Sequence, residues 1–427
     1  MRALTGEGAE GNAVTVCNSL SFQRRALVAL PEAFAGGACL TDGSEVPVAR
    51  TREGIKALVT LPPCGAVSLR PGGSAQPVTA PAATVQKTEA GFLLENGQVQ
   101  ALVDGRGEVV SFVLKESGRE FAAAPMNRFH LYKDVPRRFD AWDIDSNYRQ
   151  QEVEGAFDVT VEAVEQDLEA VLKVTGRIGE SSYTQNIRLA ADSARLVFET
   201  QVDWRELHRL LKTAFPVAVY VESGINEIQF GYIERPTHRS RPYDQERFEV
   251  CNHRYSALCD GSHGAAVLND CKYGVSMNEN SLELTLLTAS ASPEMRADNR
   301  THRFTYAFTA WEGSFADCDV VRQGYELNVE PVTAPGTRDF SLLSIDRENI
   351  FADTLKPAED GSGDLILRLY EAKKAAVTAQ VRLNLGPFRA YACDMLENVQ
   401  EELSVEEGRL ALSFRAFEIK TIRLRPL

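Results

Sequence analysis

The sequence has no apolar run near the roughly 20 residues that a membrane-spanning helix needs, which excludes a protein of that class. It is also poor in positive charge: 46 Lys and Arg stand against 60 Asp and Glu, a net charge of −14. Such a chain repels phosphate backbones and anionic lipid, so we expect neither nucleic acid nor a membrane as partner. The eight cysteines form no dense framework. With an N-terminus that lacks an apolar signal core, this predicts a cytoplasmic protein.

Short motifs of common enzyme classes are absent as well. The chain contains no GxxxxGK[ST], HExxH, CxxC or GxSxG sequence, so P-loop, zincin, thioredoxin-like and serine-triad sites have no support. Five potential zinc ligands do lie close together: Cys251, His253, Cys259, His263 and Cys271. They lack the tight turns that usually build a tetrahedral site, which favours buried thiols and surface imidazoles over zinc.

Apolar residues mostly alternate with polar ones, which is the period of a half-buried strand. Val99–Val103 and Val109–Val113, joined by the turn Asp104–Gly107, predict a hairpin. The Glu- and Ala-rich segment Val159–Leu172 also fits a helix, but its neighbours favour a strand. Similar alternation occurs at Tyr183–Leu189, Leu196–Phe198, Leu365–Leu369, Val381–Leu385 and Leu410–Phe414. With no βαβ rhythm, the sequence predicts an all-β fold of packed antiparallel sheets.

Two stretches rich in Pro, Ala and Thr, Arg70–Ala83 and Glu330–Arg338, are the predicted linkers. They divide the chain into predicted domains at 1–75, 84–332 and 338–427. At roughly 150 residues per domain, a chain of 427 residues is consistent with this division.

The segment Lys133–Asp145, with the sequence KDVPRRFDAWDID, is the densest mixture of acidic and aromatic side chains. It places Asp140 and Asp143 on either side of Trp142. Carboxylates accept hydrogen bonds from sugar hydroxyls, and a flat indole covers the apolar face of a pyranose ring. A structural loop, in which the Trp fills a core and the Asp residues cap turns, stays an open alternative.

A second polar cluster spans Phe230–His238, where Arg235 and His238 flank Pro236 in a rigid, charged corner. Its structural alternative is an ordinary ion pair made by Glu234, with the proline fixing a sheet edge.

Taken in order, the segments of this chain resemble the C-terminal β-rich half of family 38 glycoside hydrolases. These are retaining α-mannosidases, and the match is to their bacterial and cytosolic-type branch. It covers nearly the whole chain and rests on several ordered motifs: VCNSLSFQRRALVALP, DAWDID, DWRELHRLLKTAFPVAV, EIQFGYIERPTHR, FEVCNHRYSALCD, THRFTYAF and LRLYEAKKA. The resemblance implies a small β-sandwich, a large supersandwich similar to galactose mutarotase, and a small C-terminal β-sandwich, which agrees with the predicted division.

The resemblance also implies where catalysis takes place. The family's nucleophile, its acid/base carboxylate and its zinc belong to an N-terminal α/β barrel followed by a helical domain, and this sequence contains no counterpart of either. We therefore assign no catalytic residue and no metal ligand here, and expect zinc only in the missing catalytic domain. The implied partners are a mannose-containing oligosaccharide and that barrel with its helical domain. The exposed apolar patch expected where the barrel would dock also predicts self-association with a second copy of the chain.

By position, the resemblance places the following side chains near the sugar: Asp140, Trp142, Asp143, Arg368, Tyr370 and Glu371, with Arg235 and His238 as weaker candidates. We expect both Asp side chains of the DAWD loop to face solvent or to bond only within their loop, with Trp142 packed beneath them. The stretch RSRPYDQERFEV departs from the family pattern because it lacks the usual Asn-Thr-Ser-Trp.

Two other functions stay open beside part of an α-mannosidase. One is a stand-alone carbohydrate-binding module, because sandwiches of this type can hold sugars without cleaving them. The other is a mutarotase-type epimerase, which needs His130, His208 and His302 to converge on one sheet. His208 lies beside apolar partners in WRELHRLL, which favours a core or edge histidine.

Overall fold

The structure is a computed structural model that describes residues 12–73 and 82–427. Strands account for 56% of it and helices for 5%, so the predicted all-β fold is confirmed. The described part contains short helices at Glu32–Phe34, Ser146–Gln150, Pro242–Gln245 and Val320–Asn328. In these ranges, none of the helices has the length and apolar character needed to span a membrane. Most of the predicted linker Arg70–Ala83 lies outside the described residues.

The described chain divides into two compact units. Among the described residues, the first unit takes 12–73, 229–232 and 329–427, and the second takes 82–228 and 233–328. The first unit thus combines both ends of the chain. The division into domains at 1–75, 84–332 and 338–427 stays a prediction.

In the N-terminal part of the first unit, buried apolar residues such as Val16, Val59 and Leu69 form one core. One sheet runs, in order across it, Val332–Pro335, Val14–Asn18, Gly65–Pro71, Ala38–Leu40 and Glu45–Val46, with Phe340–Ser341 also paired to Gly65–Pro71. A second sheet runs Arg24–Leu30, Gly54–Leu61 and Val48–Thr51.

The predicted linker Glu330–Arg338 contains a strand, which corrects its interpretation as a connection. Val332–Pro335 pairs antiparallel with Val14–Cys17, at the edge of its sheet. An edge position tolerates proline because only one side of the strand needs its backbone donors.

In the C-terminal part of the first unit, residues such as Leu367, Ala390 and Leu412 form another core. One sheet runs Leu343–Ile345, Val377–Leu383 and Arg409–Phe414. The other runs Ile350–Pro357, Leu365–Glu371, Ile419–Pro426, Phe388–Cys393 and Val399–Leu403.

The second unit is a sandwich of antiparallel sheets. Its longest sheet among the described residues runs Phe157–Glu165, Glu169–Ile178, Ser181–Ala190, Leu196–Asp203, Thr301–Glu312, His263–Asn269, Tyr255–Cys259, Ser223–Ile228 and Gly231–Pro236. A sheet of six described strands runs Glu152–Gly155, Arg128–Lys133, Arg209–Pro216, Ser281–Thr288, Gly274–Asn278 and Val250–Cys251. The remaining sheet runs Arg119–Glu120, Val109–Leu114, Val99–Val103, Gly91–Glu95 and Thr84–Thr88.

Two sequence predictions for this unit are confirmed. Val99–Val103 pairs with Val109–Leu114 as a hairpin, and Asp104 caps its turn by accepting hydrogen bonds from the amides of Arg106 and Glu108. The ambiguous segment Val159–Leu172 forms parts of two paired strands rather than a helix. The alternation of apolar and polar residues, together with the residues of the turn, was sufficient to predict both features.

Aromatic residues join the two large sheets of the second unit face to face. Phe215, on the six-stranded sheet, lies with its ring centroid 5.7 Å from that of Phe198 and 5.6 Å from that of Phe308, both on the longest sheet. Every side chain from Leu210 to Phe215 is buried. Because successive side chains of a strand point to opposite faces, the outer face of this sheet must also be covered. The segment that covers this outer face, and the loop that precedes that segment in the chain, contain candidate functional residues.

Candidate functional site

The loop from Asp134 to Asp145 connects the strand Arg128–Lys133 to the short helix Ser146–Gln150. A tight turn at its centre is built on Phe139, whose φ of +57° lies in the left-handed region. The carbonyl of Phe139 accepts hydrogen bonds from the amides of Trp142 and Asp143, at 2.7 and 2.9 Å. The turn therefore fixes the DAWD residues relative to one another.

Asp140 anchors this loop to other parts of the second unit. Its Oδ2 accepts hydrogen bonds from the amides of Ala291 (2.7 Å) and Ser292 (2.9 Å) and lies 3.4 Å from Nε2 of His208. The expectation that Asp140 bonds only within its own loop is wrong, because strand ends distant in sequence meet at this point. Its carboxylate has a positioning role.

Asp134, at the start of the loop, is a titratable group that sequence reasoning missed. Its side chain is buried, and its amide donates a hydrogen bond to the carbonyl of His208. Burial, followed by the negative charge of Asp140, raises the pKa of Asp134 to about 6. A carboxyl flanked by other acidic residues at the base of a loop could have suggested this shift.

The tip of the loop faces solvent. Trp142 is 77% exposed and Phe139 is 66% exposed, so the expectation that Trp142 packs beneath the carboxylates is wrong. The turn at Phe139 directs the indole outward instead of toward the sheet. Asp143 is also exposed and accepts a hydrogen bond from the amide of Ile144, as expected for a carboxylate that bonds only within its loop.

Arg235 lies in the strand Gly231–Pro236, the last of the longest sheet, and His238 lies two residues after its end. Arg235 donates hydrogen bonds to Oδ1 of Asn226 (2.7 Å) and to the carbonyl of Cys251 (3.0 Å). The Nδ1 of His238 lies 2.7 Å from the hydroxyl of Ser240. Both side chains are only partly exposed, and their assignment to a sugar stays a prediction.

The remaining predicted residues belong to the first unit. Arg368 is partly exposed and lies 3.4 Å from the carbonyl of Met395. Tyr370 and Glu371 are buried. The carboxylate of Glu371 accepts hydrogen bonds from the side chain of Asn349 and from two backbone amides. Tyr370 and Glu371 are thus covered within this chain, and the assignment of Arg368, Tyr370 and Glu371 to a sugar-facing surface stays a prediction.

Three of the five potential zinc ligands lie in strands of two different sheets, and His253 and Cys271 lie between strands. Cys251 pairs with Gly274 on the six-stranded sheet, whereas Cys259 pairs with Gly264 on the longest sheet, next to His263. Over residues 12–73 and 82–427, no group of three or more His, Cys, Asp or Glu side chains is arranged to hold a metal ion.

A charged cluster on the outer face of the six-stranded sheet was also missed. Lys212, 1% exposed, donates hydrogen bonds to both carboxylate oxygens of Glu249, at 2.8 and 2.7 Å. Arg149 donates to Glu283 at 3.0 Å and to Ser276 at 2.9 Å. The sequence signal that could have revealed this cluster is Lys212 in the mainly apolar strand RLLKTAFP, since a buried lysine requires a partner.

Comparison with known proteins identifies the family. The description "Glycosyl hydrolases family 38 C-terminal domain" matches residues 94–296, and "Glycosyl hydrolases family 38 C-terminal beta sandwich domain" matches residues 349–422. The chain belongs to glycosyl hydrolase family 38. It carries that family's C-terminal domains, as the sequence motifs predicted.

Family 38 relatives match along most of this chain. Alpha-mannosidase 2C1 of Homo sapiens is 34% identical over 434 residues, which cover 98% of this chain and 40% of the human protein. Alpha-mannosidase G of Dictyostelium discoideum is 31% identical over 393 residues, covering 86% of this chain and 36% of that protein. The chain thus spans about 40% of the length of the human relative.

Two solved structures share the fold. An alpha-mannosidase from Enterococcus faecalis V583 superposes with a TM-score of 0.75 at 14% identity, covering 96% of this chain and 56% of that one. A protein in glycosyl hydrolase family 38, also from Enterococcus faecalis, gives a TM-score of 0.73 at 13% identity, covering 96% of this chain and 58% of that one.

Proposed function

We propose that this chain is the C-terminal β portion of an α-mannosidase that hydrolyses terminal α-D-mannosides. Its β domains support a catalytic barrel and complete one wall of the sugar site. The catalytic carboxylates and the zinc are then supplied by that barrel, which lies outside these β sheets. Family membership and relatives named as α-mannosidases support the proposal.

The observation that supports contact between this chain and the sugar is the solvent-facing tip of the DAWD loop. Trp142 presents an exposed indole beside the exposed carboxylate of Asp143. An aromatic face stacks on the C–H side of a pyranose, and the adjacent carboxylate accepts hydrogen bonds from its hydroxyls. Asp140 holds the loop in place from below, so we assign sugar contact to Trp142 and Asp143 and positioning to Asp140.

The epimerase alternative gains no support from the histidines. His130 lies 2.7 Å from Glu152, His208 lies beside Asp140, and Nε2 of His302 lies 2.7 Å from the carbonyl of Asp298. The three imidazoles have different partners and do not form one acid/base pair across a sugar.

The test compares this chain alone with the chain produced together with a family 38 catalytic domain. The combined protein should release p-nitrophenol from the α-mannoside and not from the β-anomer, and the 427-residue chain alone should release none. Chelator-insensitive activity of the isolated chain, or an inactive combined protein, would contradict the proposal. Faster interconversion of aldose anomers by the isolated chain, followed by polarimetry, would favour the epimerase.

A further inference from the structure

Three segments of the second unit meet where the DAWD loop is attached. The loop contributes Asp140, whose Oδ2 accepts hydrogen bonds from both backbone amides of the segment 291–292. The amide of His208 donates to the carbonyl of Ala289 at 2.6 Å, and the carbonyl of His208 accepts the amide hydrogen of Asp134 at 3.0 Å. These backbone hydrogen bonds fix His208 between the loop and the segment that begins at Ala289.

The imidazole of His208 faces a carboxylate through its Nε2 atom. This atom is buried and makes no hydrogen bond among the described residues, and Oδ2 of Asp140 lies 3.4 Å from it. A neutral ring offers the carboxylate only a weak dipole, or a repulsive lone pair when its proton is on Nδ1. An imidazolium offers a full positive charge at the same distance. The contact between His208 and Asp140 is therefore strongest when the ring is charged.

Asp134, whose amide bonds to the same histidine, supplies a second titratable group. Its side chain is buried, and burial, followed by the charge of Asp140, raises the pKa of Asp134 to about 6. Above that pH both aspartates are negative, and they repel each other within one short loop. Below it Asp134 is neutral and this repulsion is absent.

The other charged groups around His208 come from the loop and from the chain next to the histidine. Asp143 and Asp145 add negative charge on the loop side. Arg209 donates a hydrogen bond to the carbonyl of His208 at 3.1 Å, so its guanidinium is engaged with the backbone. The segment 289–293 has no charged side chain. Imidazoles gain their second proton near pH 6.5, in the range where Asp134 also titrates.

We propose that His208 is the positioning residue of a pH-sensitive attachment: protonation of His208 and Asp134 holds the DAWD loop in place, and their deprotonation loosens it. Both changes act in the same direction as the pH rises. One removes a positive charge that faces Asp140, and the other adds a negative charge to the same loop. The exposed Trp142 is carried on this loop, so its position becomes pH-dependent. Only a consequence for sugar binding rests on the proposed α-mannosidase function.

Hydrogen exchange followed by mass spectrometry tests this attachment in the full 427-residue chain. Exchange is measured at pH 5.5 and pH 8 and divided by the intrinsic rate of an unstructured peptide at each pH. The resulting protection of residues 134–145 and 288–295 should be about fivefold to tenfold lower at pH 8. The paired strands Phe388–Cys393 and Val399–Leu403 are the internal reference. They belong to the first unit, which has no histidine, and their protection should stay constant.

Variants assign the effect to its two groups. His208→Asn removes the titratable ring and keeps a residue type that tolerates the φ of +51° at this position. It should lower the protection of the loop at pH 5.5 at least about threefold. The double variant with Asp134→Asn should show no pH dependence. The matched control is His130→Asn, which removes an imidazole 2.7 Å from the carboxylate of Glu152 and should keep the full pH dependence.

Three results would overturn the proposal. The first is loop protection in the unchanged chain that is the same at both pH values, a result that requires no variant to fold. The second is a double variant that keeps the pH dependence of the unchanged chain. The third is an equal loss of protection in the reference strands, because the effect would then come from unfolding of the whole chain.

Discussion

Oδ2 of Asp140 lies 3.4 Å from Nε2 of His208 while it accepts the amide hydrogens of Ala291 and Ser292. One carboxylate thus fastens the DAWD loop to two other segments of the same unit. His208 itself holds a left-handed backbone conformation, with φ of +51°, and its carbonyl accepts the amide hydrogen of Asp134. The exposed tip of the loop depends on this partly buried attachment.

Removal of the anchor should loosen the loop. In Asp140→Ala, the two amide hydrogen bonds and the contact with His208 are lost, so local opening becomes easier. Trypsin should cleave at the exposed Arg137 or Arg138 about tenfold faster than in the unchanged chain. Asp143→Ala, which removes a carboxylate of the same loop that bonds only within it, is the control and should be cleaved at the original rate. Equal cleavage of all three proteins would show that Asp140 does not restrain the loop.

The loop tip should matter for turnover and not for stability. In the protein combined with its catalytic domain, Asp143→Ala should lower kcat/KM for an α-mannoside about tenfold to a hundredfold, because a carboxylate–hydroxyl hydrogen bond contributes about 1.5–3 kcal/mol. The melting temperature should stay unchanged, since Asp143 is exposed. Unchanged kinetics, or a collapse of the melting temperature, would support the structural interpretation of the loop.

The raised pKa of Asp134 predicts a specific pH dependence of stability. The folded state keeps the proton of Asp134 up to about pH 6, whereas the unfolded chain releases it near the ordinary aspartate pKa of 3.8. The contribution of protonated Asp134 to the free energy of unfolding is therefore complete below pH 3.8, and it is lost as the pH rises to about 6. Asp134→Asn should stabilise the protein by about 1–3 kcal/mol at pH 8 and have no such effect at pH 3.5.

Urea unfolding at the two pH values measures this effect. Asp158→Asn changes an exposed aspartate of the same unit and should leave the free energy of unfolding nearly unchanged at both. A stabilisation by Asp134→Asn that is equal at both pH values would exclude titration of Asp134 as its cause.

The buried ion pair between Lys212 and Glu249 should be far more sensitive than a surface pair. Lys212→Met leaves the carboxylate of Glu249, 13% exposed, without its cation, which costs about 3–5 kcal/mol. Lys115→Met breaks a pair in which the side chains are 34% and 32% exposed, and should cost less than about 1 kcal/mol. Urea unfolding of both variants checks the difference.

A double variant tests the cause of that cost. Lys212→Met combined with Glu249→Leu removes both charges and should recover most of the lost stability, since an apolar pair can replace a buried ion pair. If the double variant is as unstable as Lys212→Met alone, lost packing rather than the unpaired charge is responsible.

Local patterns determined the strands. The hairpin of Val99–Val103 with Val109–Leu114 follows from alternation and from a turn whose Asp104 bonds to the next amides. Such contacts join residues close in the chain, so the sequence alone contains the information needed to predict them. The ordered motifs likewise identified family 38, which the comparisons confirm.

Only the tertiary structure decided which polar groups are exposed. Strand alternation in LRLYE cannot show that other segments cover the end of the strand and bury Glu371. The position of Trp142 likewise depends on a turn at Phe139 and on an attachment of Asp140 to residues far along the chain. Lys212 finds Glu249 because a distant segment folds over its sheet. Burial and pairing of charges arise from contacts between residues distant in sequence, and a local pattern carries no information about those contacts.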